Sequence, residues 1–198
     1  NFNNELGVPL TLFGLEEHHQ VAVVEMGISD FGEMTRLSKM VKPTICVITN
    51  VGDCHLENLQ DRNGVLKAKT EMFIHRSENA SIFLNGDDAH LSTVSSVDNT
   101  KTVFYGLNSG NTYYGENIDN QGVKGIKCTL CTPNNKIDVT IPAIGTYMVS
   151  NALVAVAIGE QLAMTPQEIA QGVESYKTVG SRDGVIENGY ITIIDDCY

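Results

Sequence analysis

The stretch from Ile45 to Glu71 constrains the fold more than any other part of the chain. It begins with a short β-branched run, CVIT at residues 46–49, passes through a polar loop, and continues into a segment with helical periodicity. A short apolar run of this kind is typical of a buried strand in a parallel sheet. Ligands of open α/β sheets bind beyond the carboxyl ends of the strands, so the loop is a candidate site. Its polar side chains are Asn50, Asp53, His55 and Glu57.

Strand-like and helical patterns alternate along the chain. VAVVEM at residues 21–26 predicts a buried strand, and residues 29–44 predict a helix with Asp30 as its N-cap. Strand, helix and strand in this order predict a right-handed βαβ unit. Residues 108–142 alternate around the turn PNNK, which predicts an antiparallel hairpin. We therefore predict an α/β domain with a mostly parallel sheet flanked by helices and an added antiparallel β-hairpin region.

The last third of the chain predicts two helices and a second hairpin. An Ala-rich helix is expected after Gly145, and Thr165-Pro166 with Glu168 predicts a capped helix start. The tail is predicted to form a hairpin about Asn188-Gly189.

Charge and cysteine content exclude several classes of function. The formal net charge of −11 argues against binding to nucleic acid or to an anionic membrane surface. No apolar run approaches the ~20 residues that a membrane-spanning helix needs. The 5 cysteines form no regular framework, and we expect reduced thiols in a cytosolic protein.

Two charged residues lie where apolar residues are expected. Glu25 closes an apolar run, and its burial is costly unless it pairs with Lys or Arg or binds a metal. Lys69 falls on the apolar face of the helix predicted after the loop, whereas Lys67 points to the opposite side. Burial lowers the pKa of a lysine toward the neutral amine. Snorkelling, an ion pair with Glu71 or with a sheet carboxylate, and a special role for Lys69 all remain open.

Seven motifs in a fixed order resemble the Mur ligases along essentially the whole chain. They are NFNNELGVPLT, VVEMGISDFGEM, ITNVGDCHLE, AKTE, SNALVAVAIG, SRDG and IDDCY. The resemblance implies the central domain of a bacterial cytoplasmic ligase of peptidoglycan synthesis, with a P-loop NTPase-like fold that binds ATP and Mg²⁺. It is strongest to the members that add D-alanyl-D-alanine to UDP-N-acetylmuramoyl-tripeptide through an acyl phosphate. These two compounds are then the expected partners.

The resemblance also assigns site residues. Glu25 and His55 match metal ligands of the family, and Lys69 matches a lysine that the family carries as a carbamate. A neutral, desolvated amine can add CO₂ to become an anionic ligand suited to a hard cation. The family's usual His before the Asn helix is Tyr147 here. The matches on the nucleotide side are Asn151 at the adenine, Arg182 before the last strand and Asp196 at the ribose, and Asn3 and Asn4 match a loop near the sugar-nucleotide substrate.

One family feature is missing from the sequence: no segment has the pattern G-x-x-G-K-T of a phosphate-binding loop. We therefore expect residues 1–198 to form a single central domain truncated at both ends, without the P-loop, the N-terminal UDP-substrate domain or the C-terminal domain. Such a chain is expected to be a monomer and not to be a competent ligase alone. Two alternatives stay open: a folylpolyglutamate-synthetase-like or cyanophycin-synthetase-like amide ligase, and a non-catalytic scaffold.

Overall fold

A computed structural model describes residues 2–177, 184–187 and 189–195. The chain divides into two compact units, Asn1–Val103 and Phe104–Tyr198.

The first unit is built around two parallel strands. Its elements are α1 (Gly7–Phe13), α2 (Glu33–Val41), β1 (Ile45–Ile48), α3 (Leu56–Leu59), α4 (Arg62–Thr70), a 3₁₀ turn (Glu71–His75), β2 (Ser81–Asn85), a second 3₁₀ turn (Leu91–Thr93), β3 (Ser96–Val97) and β4 (Thr100–Lys101). β1 pairs with β2 in parallel, from Ile45 opposite Ser81 to Ile48 opposite Leu84. Since α4 lies between these strands in the chain, the parallel crossover runs through β1, α4 and β2.

The core of this unit follows the predicted helical pattern. In α4, Val65 and Ala68 are fully buried, and Met72 and Phe73 continue the same face into the 3₁₀ turn. Lys67 is exposed and Lys69 is half-buried, as the helix geometry predicted. The apolar face of the helix therefore packs inward and carries Lys69 with it.

The prediction of a buried strand at residues 21–26 is wrong. This segment has no regular secondary structure, and 54% of Val21 and 92% of Val23 are exposed. An apolar run becomes a strand only where a neighbouring strand satisfies its backbone groups. In the part of the chain that the structure describes, no strand pairs with this segment.

The prediction of Asp30 as the N-cap of α2 is also wrong. The helix begins at Glu33, and its N-cap residue is Gly32, which has a φ of 81°. At this helix start, the amides of Gly32 and Thr35 and the hydroxyl of Thr35 donate hydrogen bonds to the carboxylate of Glu71. Glu71 lies in the 3₁₀ turn after α4. A tertiary contact thus replaces the local cap that the sequence suggested.

The second unit combines a parallel pair with antiparallel strands. Its elements are β5 (Val103–Gly106), β6 (Tyr113–Asn120), a 3₁₀ turn (Gly122–Lys124), β7 (Ile126–Cys131), β8 (Lys136–Ile141), α5 (Tyr147–Gln161), α6 (Pro166–Glu174), β9 (Gly184–Glu187) and β10 (Thr192–Asp195). β5 pairs in parallel with β6, whereas β7 pairs antiparallel with both β6 and β8. β9 and β10 form a separate antiparallel pair. The predicted α/β class with an antiparallel addition and both predicted hairpins are confirmed.

Side-chain hydrogen bonds join α5 to the start of β6 and to the turn of the β7–β8 hairpin. Glu160 accepts hydrogen bonds from the hydroxyl of Tyr113 at 3.1 Å and from the hydroxyl of Thr132 at 2.7 Å. At the start of α6, Thr165 and Glu168 form the predicted capping box. The described cysteines are free thiols, as expected (Cys46, Cys54, Cys128 and Cys131), and Cys197 lies outside the described residues.

Candidate functional site

The loop after β1 is held by side chains from the end of β2. Because β1 and β2 are parallel, their carboxyl ends lie at the same edge. Asn85, the last residue of β2, donates from Nδ2 to the carbonyl oxygen of Thr49 at 3.0 Å. Asp88 accepts through Oδ2 a hydrogen bond of 2.7 Å from the amide of Val51. The polar loop that the sequence predicts after β1 is therefore held in place by hydrogen bonds from the end of β2 and from the turn that follows it.

Lys69 reaches the same loop from α4. Its ammonium donates to the carbonyl oxygen of Asn50 at 2.7 Å. Burial lowers the pKa of Lys69 below its ordinary value, although the nearby Cys54 and Asp88 act in the opposite direction. A lysine with a lowered pKa forms its neutral, nucleophilic amine more readily.

Glu71 and Lys67, the charged neighbours of Lys69 in the chain, each make contacts that do not involve Lys69. Glu71 uses its carboxylate at the start of α2, so it does not serve as the partner that the ion-pair alternative required. Lys67 is exposed, and its Nζ lies 5.5 Å from the centroid of the Phe31 ring. Lys69 thus differs from Lys67 in both burial and contacts.

His55 lies at the end of the loop, where α3 begins. Its backbone has a φ of 52°, a left-handed conformation that is uncommon for a residue with a side chain and that is found often at functional sites. The imidazole is exposed, with Nδ1 3.9 Å from Oε1 of Glu57. Asp53 and Arg62 hold the loop through two hydrogen bonds of 2.8 and 2.6 Å.

Glu25 lies in the irregular segment that precedes α2, and its side chain is exposed. Asn3 donates from Nδ2 to Oε1 of Glu25 at 3.0 Å, and the amide of Gly27 donates to the carbonyl of Asn3 at 2.7 Å. Asn4 instead contacts the start of α1, because its Oδ1 accepts from the amide of Gly7, the first residue of that helix, at 2.8 Å. The two asparagines therefore have different structural roles, one at Glu25 and one at a helix start.

A conventional metal cluster is not formed by the described residues. Within residues 2–177, 184–187 and 189–195, no group of three or more His, Cys, Asp or Glu side chains is placed to hold a metal ion. A magnesium site that uses Glu25 and His55 would therefore need a further ligand of another kind. The position and lowered pKa of Lys69 fit a lysine that becomes anionic by carbamate formation.

Asn151 borders an apolar cavity of about 340 Å³ in the second unit. Its side chain is on the first half of α5, where Nδ2 lies 3.6 Å from the sulfur of Met148. Ala152, Ala155 and Gly159 of α5 form one wall of the cavity, and Ile169 and Gly172 of α6 form another; Tyr176, which follows α6, also lines it. A cleft with apolar walls and one amide suits a flat heterocyclic ring. Arg182 and Asp196, the other predicted nucleotide residues, lie outside the described residues.

Sequence reasoning missed the contributions of Asn85 and Asp88. The segment SIFLNGDD has the pattern of a strand followed by a turn, and in such a pattern an Asp is expected to be a turn former. The available signal was the position of both residues at the end of a strand expected to be parallel to β1. Their bonds to Thr49 and Val51 could not be predicted, because the pattern does not say which strands are neighbours.

The chain is similar to known proteins along its whole length. The sequence model of the Mur ligase middle domain matches residues 1–159. A UDP-N-acetylmuramoyl-tripeptide–D-alanyl-D-alanine ligase of Bacillus subtilis (strain 168) is 34% identical over 199 residues, which cover 100% of this chain and 42% of that protein.

Among the described residues, no helix combines the length and the apolar character needed to cross a membrane.

Solved structures agree with the sequence comparison. A crystal structure of MurF from Acinetobacter baumannii superimposes with a TM-score of 0.92 at 29% identity and covers 100% of this chain and 43% of that one. The crystal structure of MurF ligase from Thermotoga maritima in complex with ADP gives a TM-score of 0.86 at 26% identity and covers 100% of this chain and 45% of that one. The chain thus spans less than half the length of the relatives it matches.

Proposed function

Because this chain belongs to the Mur ligase family, whose middle domain matches residues 1–159, we propose that it is part of a ligase that adds D-alanyl-D-alanine to UDP-N-acetylmuramoyl-tripeptide. The observation that carries the proposal is the similarity, across 100% of the chain, to the Bacillus subtilis ligase of that name. Since the chain covers 42% of that relative, the activity is proposed for the complete protein.

The proposed reaction couples ATP to amide formation. The carboxylate of the tripeptide attacks the γ-phosphate of ATP, ADP leaves, and the resulting acyl phosphate is attacked by the amine of D-alanyl-D-alanine, which releases phosphate. When bound, Mg²⁺ neutralises the anionic groups that must approach each other in the first step. Glu25, His55 and Lys69 are the proposed ligands.

Lys69 is proposed to act as a carbamate. The lone pair of its neutral amine forms a bond to the carbon of CO₂, and one N–H proton is released to water. The product carries a negative charge at the end of the lysine side chain, next to the loop after β1. Half-burial on α4 and the lowered pKa of Lys69 support this proposal, because both favour the neutral amine.

The nucleotide is proposed to bind through the second unit. Asn151 would hydrogen-bond the adenine at the cavity between α5 and α6, and its exposed amide and the apolar lining of the cavity support this role. Arg182 and Asp196 are proposed to complete the contacts to the nucleotide. Roles of Asn3 and Asn4 at the sugar-nucleotide substrate remain predictions.

We further propose that the complete protein is a monomer of the bacterial cytoplasm, in which residues 1–198 contribute to the central ATP-binding domain. This chain alone is expected to release phosphate far more slowly than the complete protein. Phosphate release by the two forms under identical conditions checks the expectation, and equal rates would contradict it.

The function is tested in the complete protein by phosphate release from ATP in the presence of both proposed substrates. Lys69→Ala should reduce the rate by roughly 100-fold or more, because it removes a group proposed to stabilise charge in the transition state. Lys67→Ala is the matched control from the same helix and should stay within about twofold of the parent, as expected for an exposed side chain. Short-chain carboxylates should restore part of the rate in Lys69→Ala.

Three outcomes of this assay would contradict different parts of the proposal. Unchanged activity in Lys69→Ala would contradict the proposed role of the lysine. Phosphate release that requires glutamate or another amine in place of D-alanyl-D-alanine would favour a different amide ligase. Binding of ATP without any turnover would favour the scaffold.

A further inference from the structure

The turn after β2 is tied to the loop after β1 by both oxygens of Asp88. Oδ2 accepts from the amide of Val51 at 2.7 Å, and Oδ1 accepts from the amides of His90 at 2.9 Å and Leu91 at 3.0 Å. Burial of this carboxyl raises its pKa, but hydrogen bonds from these amides outweigh burial and the pKa lies below its ordinary value. The side chain is therefore an ionised acceptor, and each oxygen faces a different segment of backbone.

Asn85 provides a second tie between the same segments. Its Nδ2 donates to the carbonyl of Thr49 at 3.0 Å, while its Oδ1 accepts from the amide of Asp87 at 3.0 Å. Since the amide group has distinct donor and acceptor ends, the two contacts fix its orientation. The exit of β1 is thus bonded to the exit of β2 on both sides of Asn50.

The bond from Val51 to Asp88 also determines where the carbonyl of Asn50 points. The C=O of Asn50 and the N–H of Val51 belong to one planar trans peptide, in which the two groups point in opposite directions. Asp88 holds the N–H end at 2.7 Å, and Lys69 donates to the C=O end at 2.7 Å. A carboxylate on the N–H polarises the peptide and makes its carbonyl a stronger acceptor.

We propose that Asp88 and Asn85 are positioning residues for Lys69, which they place through the backbone of residues 49–51 without touching the substrates. Asp88 sets the peptide plane to which Lys69 donates, and Asn85 fixes the preceding carbonyl. This inference rests on the proposed function, because it assigns the two residues a part in the chemistry of Lys69. It goes beyond the ligand set of that function, since neither residue is proposed to bind metal, nucleotide or peptide.

The inference predicts a specific kinetic pattern in the complete protein. Asp88→Ala should lower kcat by roughly 10- to 100-fold, because misplacing a catalytic group by about 1 Å has an effect of this size. The KM for ATP and for the dipeptide should change by less than about threefold, since no substrate contact is lost. Asn85→Ala should act in the same direction with a smaller effect.

Two controls separate positioning from a general loss of stability or charge. Glu78→Gln removes an exposed carboxylate from the same unit, and Ile82→Val trims a fully buried side chain of β2. Both should keep kcat within about twofold at temperatures below their melting points. A decrease in kcat for Asp88→Ala no greater than that of Ile82→Val would overturn the inference.

A double-mutant test shows whether Asp88 acts through Lys69. In a Lys69→Ala background, adding Asp88→Ala should cost no more than about twofold, because residues that act as a unit are not additive. Independent losses that multiply would contradict the inference while leaving the proposed function intact. Full activity of Lys69→Ala itself would instead refute the role of the lysine in the proposed function.

Hydrogen exchange provides a readout that does not depend on activity. In Asp88→Ala the amide of Val51 should exchange roughly 10-fold faster, while the amides of the β1–β2 pair keep their protection. If Asp88→Ala does not fold, Asp88→Asn replaces it: an amide has one acceptor oxygen, so protection should fall at Val51 or at Leu91. Unchanged protection at both amides in Asp88→Asn, together with a parental kcat, would overturn the inference.

Discussion

Glu71 extends from the 3₁₀ turn after α4 to the first turn of α2, and removing its carboxylate should destabilise the fold measurably. Both oxygens accept from the amide of Gly32, at 3.0 and 2.9 Å. Oε2 also accepts from the amide of Thr35 at 3.3 Å and from its hydroxyl at 3.0 Å. These amides belong to the set that a helix start leaves without intrahelical partners.

The size of the effect follows from the lost contacts. Loss of an N-capping side chain costs about 1 kcal/mol, and loss of a negative charge at a helix N-terminus costs up to about 1 kcal/mol more. Glu71→Ala should therefore lower the free energy of unfolding by about 2 kcal/mol. Glu71→Gln keeps one acceptor oxygen and should lower it by about 1 kcal/mol. For a chain of this length, 2 kcal/mol corresponds to a fall in Tm of roughly 4–8 °C.

Urea denaturation of the chain, followed by circular dichroism, measures the change. Glu78→Ala is the matched control, because it removes an exposed carboxylate from the segment between the 3₁₀ turn and β2. The reasoning is refuted if Glu71→Ala is no more destabilising than Glu78→Ala. A second check uses Lys69→Met: if Glu71 acted by pairing with Lys69, the effect of Glu71→Ala would disappear in that background, whereas we expect it to persist.

Two further measurements test the packing. Gly64→Ala should destabilise the chain by about 2 kcal/mol or more because an added Cβ would lie 1.7 Å from the carbonyl oxygen of Leu59, whereas Gly172→Ala meets no atom within 4 Å and should stabilise α6 by up to about 1 kcal/mol. Thermal melts of the pair check this, and equal effects would contradict it. Burial raises the pKa of the Cys46 and Cys128 thiols to about 11, so at pH 8 both should be almost entirely protonated and should resist iodoacetamide in the folded chain, while the half-buried Cys54 is alkylated first. Mass spectrometry of the peptides before and after unfolding measures the order in which the cysteines are alkylated. Early alkylation of Cys46 would contradict the prediction, because it would show that solvent reaches this thiol in the folded chain.

Local patterns predicted those parts of the fold whose cause is local. The apolar run at β1, the spacing of Val65 and Ala68 in α4, and the capping box at Thr165 each depend on residues a few positions apart. The position of Lys69 on the inner face of α4 followed from the same helical geometry. The pattern could not supply its partner, because the carbonyl of Asn50 belongs to a different element.

The failures share one physical reason. Residues 21–26 have the composition of a strand, but a strand is stabilised by a partner that the sequence does not identify. Asp30 has the side chain of an N-cap, yet the start of α2 is satisfied by Glu71 from another turn.

The sequence by itself determined the α/β class and the helix faces, since periodicity encodes which surfaces must be buried, and its ordered motifs indicated the family through their resemblance to the Mur ligases. Only the tertiary structure decided which groups meet at the edge of β1. Asn85, Asp88 and Lys69 come from separate elements and converge on three consecutive residues because β1 and β2 lie in parallel. Hydrogen bonds between distant segments depend on that arrangement in space, which local sequence does not specify.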